Sequence, residues 1–275
     1  MSLLVFNTDD YPRLTVRIHA KIGEVDKWYL LKVSSKYPPF FIADMLSMCD
    51  SQMGALLIIE GVYSSMSLIN EFIPQYSMKP LARGMCNDTD NHFGLFDWPN
   101  PSTDGSIPSP SALALAIFEL QNHSLLKSPG LFGFDMTTHN GKYPQVASWT
   151  DTWEEFFTMD MQRMLLVERT SRRRINQDLD KLIESFLAKV IPRLLRPLVM
   201  GFTRISPVLV HGNLHYDNIA VQCGSKDDPL IYNPSAFWGH HECKFDRKER
   251  YRPYYQTRCI PPFLNLSLPF SPISF

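Results

Sequence analysis

Two β-rich runs, Leu14 to His19 and Trp28 to Val33, stand near the start of the chain, separated by AKIGEVDK with its turn-forming Gly23. The pattern predicts an antiparallel hairpin. From Ala55 to Asn70 the period changes. Leu57, Ile58, Val62, Met66 and Ile69 recur at helical spacing and predict a helix. Pro74 and Pro80 interrupt the pattern, and a short strand is expected near Phe93 to Phe96. Ser34 to Met53, with Pro38-Pro39, fits no regular period.

The second half is more helical. Leu113, Ile117 and Leu120 give an apolar face to Ala112–His123. Asp151 with Glu154 resembles a capping box, with Asp in place of Ser or Thr. Behind it Trp153, Phe156, Phe157, Met161, Met164 and Leu165 form one stripe. Leu179, Leu182, Ile183, Phe186, Leu187 and Val190 form another, which Pro192 is expected to stop. Such stripes serve as core, and no chemistry is assigned to them. Arg172 to Arg174, between the two helices, reads as a solvated connection. The Pro-, Ser- and Gly-rich stretch 99–110 has linker composition and divides the chain into segments 1–98 and 111–275.

Composition narrows the function classes. The chain has 275 residues, 44% apolar and 20% charged, with a net charge of -1. That balance points to neither a nucleic-acid nor an anionic-membrane partner. Five cysteines without a CxxC pair suit a reducing compartment rather than a disulfide framework. MSLLVFNTDD lacks the basic region of a secretory signal. No apolar run reaches the ~18 residues of a membrane span. A soluble, cytoplasmic protein is expected, with its oligomeric state left open.

Candidate chemistry gathers in PVLVHGNLHYDNIAV, residues 207–221. Val208 to Val210 predict a strand, His211 to Asn218 a polar loop and Ile219 to Val221 a second strand. Leu230 to Tyr232 predict a third, ending at Asn233-Pro234. Polar groups where neighbouring strands end converge readily on a ligand. Asn213 and Asn218 have the spacing of the kinase catalytic loop, in which Asp takes the first place and Asn the second. Lys32, near the end of the second run, either points to solvent or, as in kinase-like folds, reaches ATP phosphates. His211, His215, His240 and His241 offer a separate reading as a zinc site.

YLLKV at 29–33, YSSM at 63–66, SPGLFGF at 128–134, TWEEFF at 152–157, IPRLLRPL at 191–198, VHGNLHYDN at 210–218 and NPSAFWGHHE at 233–242 together carry a family resemblance. In this ordered set the chain resembles the fructosamine kinases, or ketosamine-3-kinases, and most of all their fungal ribulosamine-kinase branch. The resemblance implies an α+β, protein-kinase-like fold of two lobes, similar to aminoglycoside phosphotransferases. It implies ATP and Mg2+ as cofactors. It also implies phosphoryl transfer to the sugar 3-hydroxyl of ketosamines, either small or carried on glycated proteins. The family's HGD-L-x-x-x-N pattern falls on His211, Gly212, Asn213, Leu214 and Asn218. Asn213 thus takes the place of the catalytic Asp, Asn218 and Asn233 the metal-binding places, and Lys32 the place of the ATP-contacting lysine.

The departures fall on the chemistry. An amide at 213 cannot take a proton, and loss of a general base costs ~10²–10⁴ in rate. An amide at 233 lacks the charge that hard cations favour. Val62 replaces the family's helix glutamate, and Glu60, two residues away, is rotated by ~200° to another face. No glycine-rich phosphate loop precedes Leu14, Ser34 to Met53 is longer than the family's connection, and the chain stops soon after GHHE. Two readings follow: an active ketosamine-3-kinase, or a non-catalytic relative that binds nucleotide, glycated protein or another partner.

Overall fold

The computed structural model describes residues 2–6, 13–22, 24–34, 51–87, 91–98, 106–140, 143–145, 147–171, 176–200, 205–222, 224–225 and 227–242. Arg172 to Arg174, and all but the ends of Ser34–Met53, lie outside them.

The expected hairpin forms from β2 (Arg13–Ile22) and β3 (Val25–Ser34), with β1 (Ser2–Phe6) added in front. Helix α1 (Ser51–Phe72) follows, then a 3-10 turn at Pro74–Tyr76, β4 (Lys79–Met85) and β5 (His92–Trp98). The five strands make one antiparallel sheet in the order β1-β2-β3-β5-β4. Pro80 therefore does not interrupt the sheet. It lies on the edge strand β4, beside a register shift, where a missing N–H is tolerated.

Helix α1 holds the sheet to the rest of the protein. Ile58, Val62, Met66 and Ile69 recur on one face and are all buried. Val62 and Met66 pack with Leu30, Phe96 and Trp98 of the sheet and with Leu230. One turn further on, Ile69 and Phe72 belong to the second core, with Leu113, Ile117, Phe132, Trp153, Leu209 and Trp238.

That second core draws on α2 (Pro110–Leu125) and α3 (Trp153–Ser171), between which runs a short ribbon of β6 (His139–Asn140) and β7 (Tyr143–Pro144). Further on come α4 (Gln177–Ser185), α5 (Ile191–Leu195) and α6 (Pro197–Met200). Two antiparallel ribbons complete it: β8 (Val208–Val210) with β11 (Phe237–Gly239), and β9 (Ile219–Val221) with β10 (Pro229–Ile231).

Local chemistry departs from the sequence pattern twice. The cap of α3 is Thr152, whose Oγ1 accepts from the Glu155 N–H at 3.2 Å, while Glu154 pairs with Arg196 at 2.8 Å. The N-cap thus sits one residue later than Asp151 and Glu154 suggest. Nor does Pro192 stop the helix before it. A π-helical turn over Phe186–Val190 comes first, and Pro192 falls in the opening turn of α5, where its missing N–H breaks no bond.

Candidate active site

β8 ends before His211, β9 begins after Asn218 and β10 ends before Tyr232, so three strand ends converge on one small region. The turns there are tight. Gly212 has φ of +74°, and a Cβ on it would stand 1.9 Å from the Ser235 carbonyl oxygen, a place only glycine can fill. Asn233 is also left-handed, with φ of 59°, a conformation asparagine tolerates better than most residues.

His211 ties two of these strand ends together. Its Nε2–H donates to the Tyr232 carbonyl at 3.1 Å, and its Nδ1 accepts from the Asn213 N–H at 3.3 Å. The Ser235 N–H returns to the His211 carbonyl at 3.0 Å. Burial holds the imidazole neutral, lowering its pKa from 6.5 to about 3. With both ring nitrogens engaged by backbone, the side chain has none left for a metal or a proton transfer.

Asn213, Asn218 and Asn233 form one chain of hydrogen bonds with Lys32. Lys32 Nζ donates to Asn233 Oδ1. Asn233 Nδ2 donates to Asn218 Oδ1 at 3.0 Å. Asn218 Nδ2 donates to the Asn213 carbonyl at 2.7 Å and to His215 Nε2 at 2.9 Å. Asn213 Nδ2 closes the loop on the Asn233 carbonyl at 3.1 Å. Lys32 reaches this cluster from β3, where it lies across from Thr15 and Gly94.

Neighbouring carboxylates serve elsewhere. Glu60 pairs with Arg83 of β4 at 2.9 Å, and that guanidinium lies 4.6 Å over the Tyr63 ring. Val62, at the place the resemblance would give to a helix glutamate, is buried among Leu30, Met66 and Phe96. Asp217 faces His215 Nδ1 at 3.3 Å and is 64% exposed.

Hard dications prefer charged oxygens in a preorganised shell. Here Asn233 Oδ1 already holds an ammonium and Asn218 Oδ1 an amide N–H, so these residues do not fit a magnesium ion. The zinc reading fares no better: among the described residues no three His, Cys, Asp or Glu side chains are grouped to hold a metal. His240 instead stacks on His241, with centroids 4.4 Å apart, and lies 6.0 Å from Trp153.

A cavity of about 610 Å³ opens on the outer side of the loop. It is lined by Gly212 to His215 of the loop and by Trp153, Phe156, Phe157 and Asp160 of α3. Phe237, His240 and Glu242 close the end, with Gln145 and Asn140 at the β6–β7 ribbon. The α3 stripe is thus core on one side and cavity wall on the other. Sequence periodicity does not separate these uses.

Ser65 lies in the YSSM stretch, but its sequence gives it no role. Fully buried on α1, it accepts through Oγ from the Ala236 N–H at 3.0 Å. The bond fixes the segment after Asn233 to the helix that packs on Lys32's sheet. No helix among the described residues is long and apolar enough to cross a membrane.

Comparison with known proteins follows this architecture. A family model described as Fructosamine kinase matches residues 65–257. The mouse ketosamine-3-kinase is 36% identical over 113 residues, 40% of this chain and 33% of that protein. A chloroplastic protein-ribulosamine 3-kinase of Oryza sativa subsp. japonica is 30% identical over 138 residues, 49% of this chain and 36% of that one. The matched stretches thus span about a third of these relatives' length. Among solved structures, a protein described as a fructosamine-3-kinase from Haemophilus somnus superposes with a TM-score of 0.62 at 17% identity, covering 94% of this chain and 75% of that one. An aminoglycoside phosphotransferase solved with ADP and hygromycin B gives 0.52 at 12% identity, covering 88% and 69%. The fold is that of these kinase-like proteins, and with the family match covering most of its length the chain belongs to the fructosamine kinase family.

Proposed function

We propose that this chain is a ketosamine-binding member of its family in which ATP-dependent phosphoryl transfer to the sugar 3-hydroxyl is disabled. The observation that carries the reading is the position of Asn213. It lies on the cavity wall, where the attacking hydroxyl of a ketosamine would sit, and its Nδ2 is committed to the Asn233 carbonyl. Its Oδ1 can orient a hydroxyl by accepting a hydrogen bond but cannot take the proton. Loss of a general base alone slows such a reaction by ~10²–10⁴.

Recognition of the acceptor has better support. Phe157, partly exposed, offers apolar surface for a sugar ring, and Gln145 and Asn140 offer amides for its hydroxyls. Asp160 and Glu242 place carboxylates near the protonated amine that every ketosamine carries, although Asp160 also pairs with Arg163 at 3.1 Å. Lys32 and the amide chain behind Asn213 form the side on which a nucleoside phosphate would lie. The partner is then a glycated protein or a small ketosamine, sensed or sequestered rather than turned over.

The test measures binding of a small ribulosamine by calorimetry and phosphate transfer to it from ATP. Both are run on the native chain and on Asn213→Asp/Asn233→Asp. Binding by both proteins, with transfer at least ~10²-fold faster in the double variant, is expected. Equal transfer rates would refute the loss of activity, and absence of ribulosamine binding would refute the ligand class.

A further inference from the structure

The helix beside the cavity carries more apolar surface than its packing uses. α4, α5 and α6 run as one rod, because Phe186, Ile191 and Arg196 at the junctions keep right-handed helical angles. Ile191 is buried, and Ile183, Leu187 and Leu195 on the same face are half-buried. A second row, Leu182, Val190, Leu194 and Leu198, is exposed, Leu194 by 63%. In a plain α-helix each four-residue step overshoots a turn by about 40°, and such a row winds off its face. The π turn at Phe186–Val190 holds more residues per turn and takes back part of that drift, so the row stays one strip. The strip ends in the cavity, where Leu198 lines the wall together with Leu195.

Charge is arranged along the same rod. Lys189 and Arg193, exposed and one residue before Val190 and Leu194, form no ion pair among the described residues, whereas Arg196 is held by Glu154 at 2.8 Å. At the far end Leu182 shares its turns with Asp178, Asp180 and Glu184, and Lys181 there pairs with Asp178 at 3.8 Å. We infer that the part of the strip next to the cavity binds the polypeptide that bears the ketosamine, a short run of apolar and acidic residues beside the modified lysine. Val190 stands eight residues from Leu198, roughly 12 Å along the rod, which an extended peptide spans in about four residues. A ketosamine seated in the cavity sends its lysine stem out past Leu198. The peptide then meets Leu194 and Val190 with its apolar side chains, and Lys189 and Arg193 with its carboxylates. The acids around Leu182 disfavour an anionic lipid surface on the same strip. The inference rests on the reading above that the cavity holds a ketosamine, and it adds that the protein reads the chain around the adduct.

The experiment is calorimetric titration of the full chain with three ligands. They are free ribulosyl-lysine, a peptide in which that residue is flanked by leucines and glutamates, and one in which it is flanked by glycines and serines. The leucine–glutamate peptide is expected to bind at least ~tenfold tighter than the other two. Leu194→Asp, at an exposed position outside the cavity lining, is expected to weaken that peptide at least ~fivefold and to leave free ribulosyl-lysine unchanged. Equal affinity for the three ligands would overturn the inference, as would an unchanged peptide affinity in Leu194→Asp. Self-association of the native chain, or its sedimentation with phosphatidylserine vesicles, that Leu194→Asp abolishes would give the strip to a second copy or to lipid and overturn it too. Failure of free ribulosyl-lysine to bind would refute the ligand class proposed for the cavity and the inference with it, so that failure is distinguishable from failure of the strip alone.

Discussion

Lys32, on the third strand of the N-terminal sheet, donates a hydrogen bond to the side-chain oxygen of Asn233, 201 residues later. The contact joins the sheet to the loop that follows β10, and it does so with a neutral acceptor. Removing the ammonium with Lys32→Met would strand a half-buried amide oxygen, at a cost of about 1–3 kcal/mol. Denaturant unfolding should show the loss as a lower midpoint at unchanged slope. An unchanged midpoint would mean that this contact contributes nothing to holding sheet and loop together.

Two glycines with nearly the same backbone angle separate strain from space. Gly212 has φ of +74° and Gly130 +75°, but a Cβ on Gly212 meets the Ser235 carbonyl whereas one on Gly130 meets nothing within 4 Å. Gly130→Ala should therefore cost about 1–2 kcal/mol, the left-handed penalty alone. Gly212→Ala adds a clash with a backbone that is itself pinned by the Ser235-to-His211 bond at 3.0 Å. It should lower stability by more than ~4 kcal/mol or prevent folding. Thermal unfolding of the two variants side by side checks this, and equal shifts would contradict it.

Burial of His211 as a neutral imidazole makes stability depend on pH in a definite window. Its folded pKa of about 3 lies below the ordinary 6.5. Above pH 6.5 the group is neutral in both states and contributes no pH dependence. Below it the unfolded chain gains a proton that the folded chain refuses, so stability falls as pH drops through the window between 6.5 and about 3. The slope attributable to this residue approaches about 1.4 kcal/mol per pH unit. His211→Gln should lose that share of the slope between pH 6 and 4, measured by urea unfolding at several pH values. An identical slope in the variant would show that the imidazole does not stay neutral.

The β2–β3 hairpin, α1 and the loop from His211 to Asn218 are legible because local periodicity and turn chemistry agree there with the tertiary fold. β4 is not, since Pro80 argues against a strand until the sheet order places it at the edge. The α3 cap is ambiguous because Asp151-Glu154 and Thr152-Glu155 both have capping-box spacing. Arg196, distant in sequence, engages Glu154, while Thr152 caps Glu155. At the site, loop spacing and family resemblance single out Lys32, Asn213, Asn218 and Asn233, and the structure brings them together. Trp153, Phe156 and Phe157 read as core because a cavity wall and a core face share one helical period. Ser65 falls in YSSM, but its role is invisible in the sequence because its partner is a backbone N–H far along the chain.

Charge at the cavity decides the last prediction. Its aromatic wall is indifferent to the charge of a ligand, while Glu242, exposed at the opening, and Asp160 on α3 are not. A ketosamine carries a protonated secondary amine next to its sugar, and both carboxylates lie on the cavity that would hold it. Exposed charge pairs contribute ~0.2–1 kcal/mol, so Glu242→Gln should weaken a ribulosamine by no more than about fivefold. Asp160→Asn should do about as much, tempered by its pairing with Arg163. Two controls make the effect specific. Raising ionic strength should shrink the Glu242 effect, because a solvent-facing pair is screened within ~10 Å at 0.1 M salt. Acylating the ribulosamine nitrogen should abolish it, because the amide is neutral while the sugar still faces the aromatic wall. Calorimetry on the native chain and the two variants provides the measurement. If Glu242→Gln weakened the acylated and amine ligands equally, the carboxylate would be acting through packing or a hydrogen bond rather than through charge.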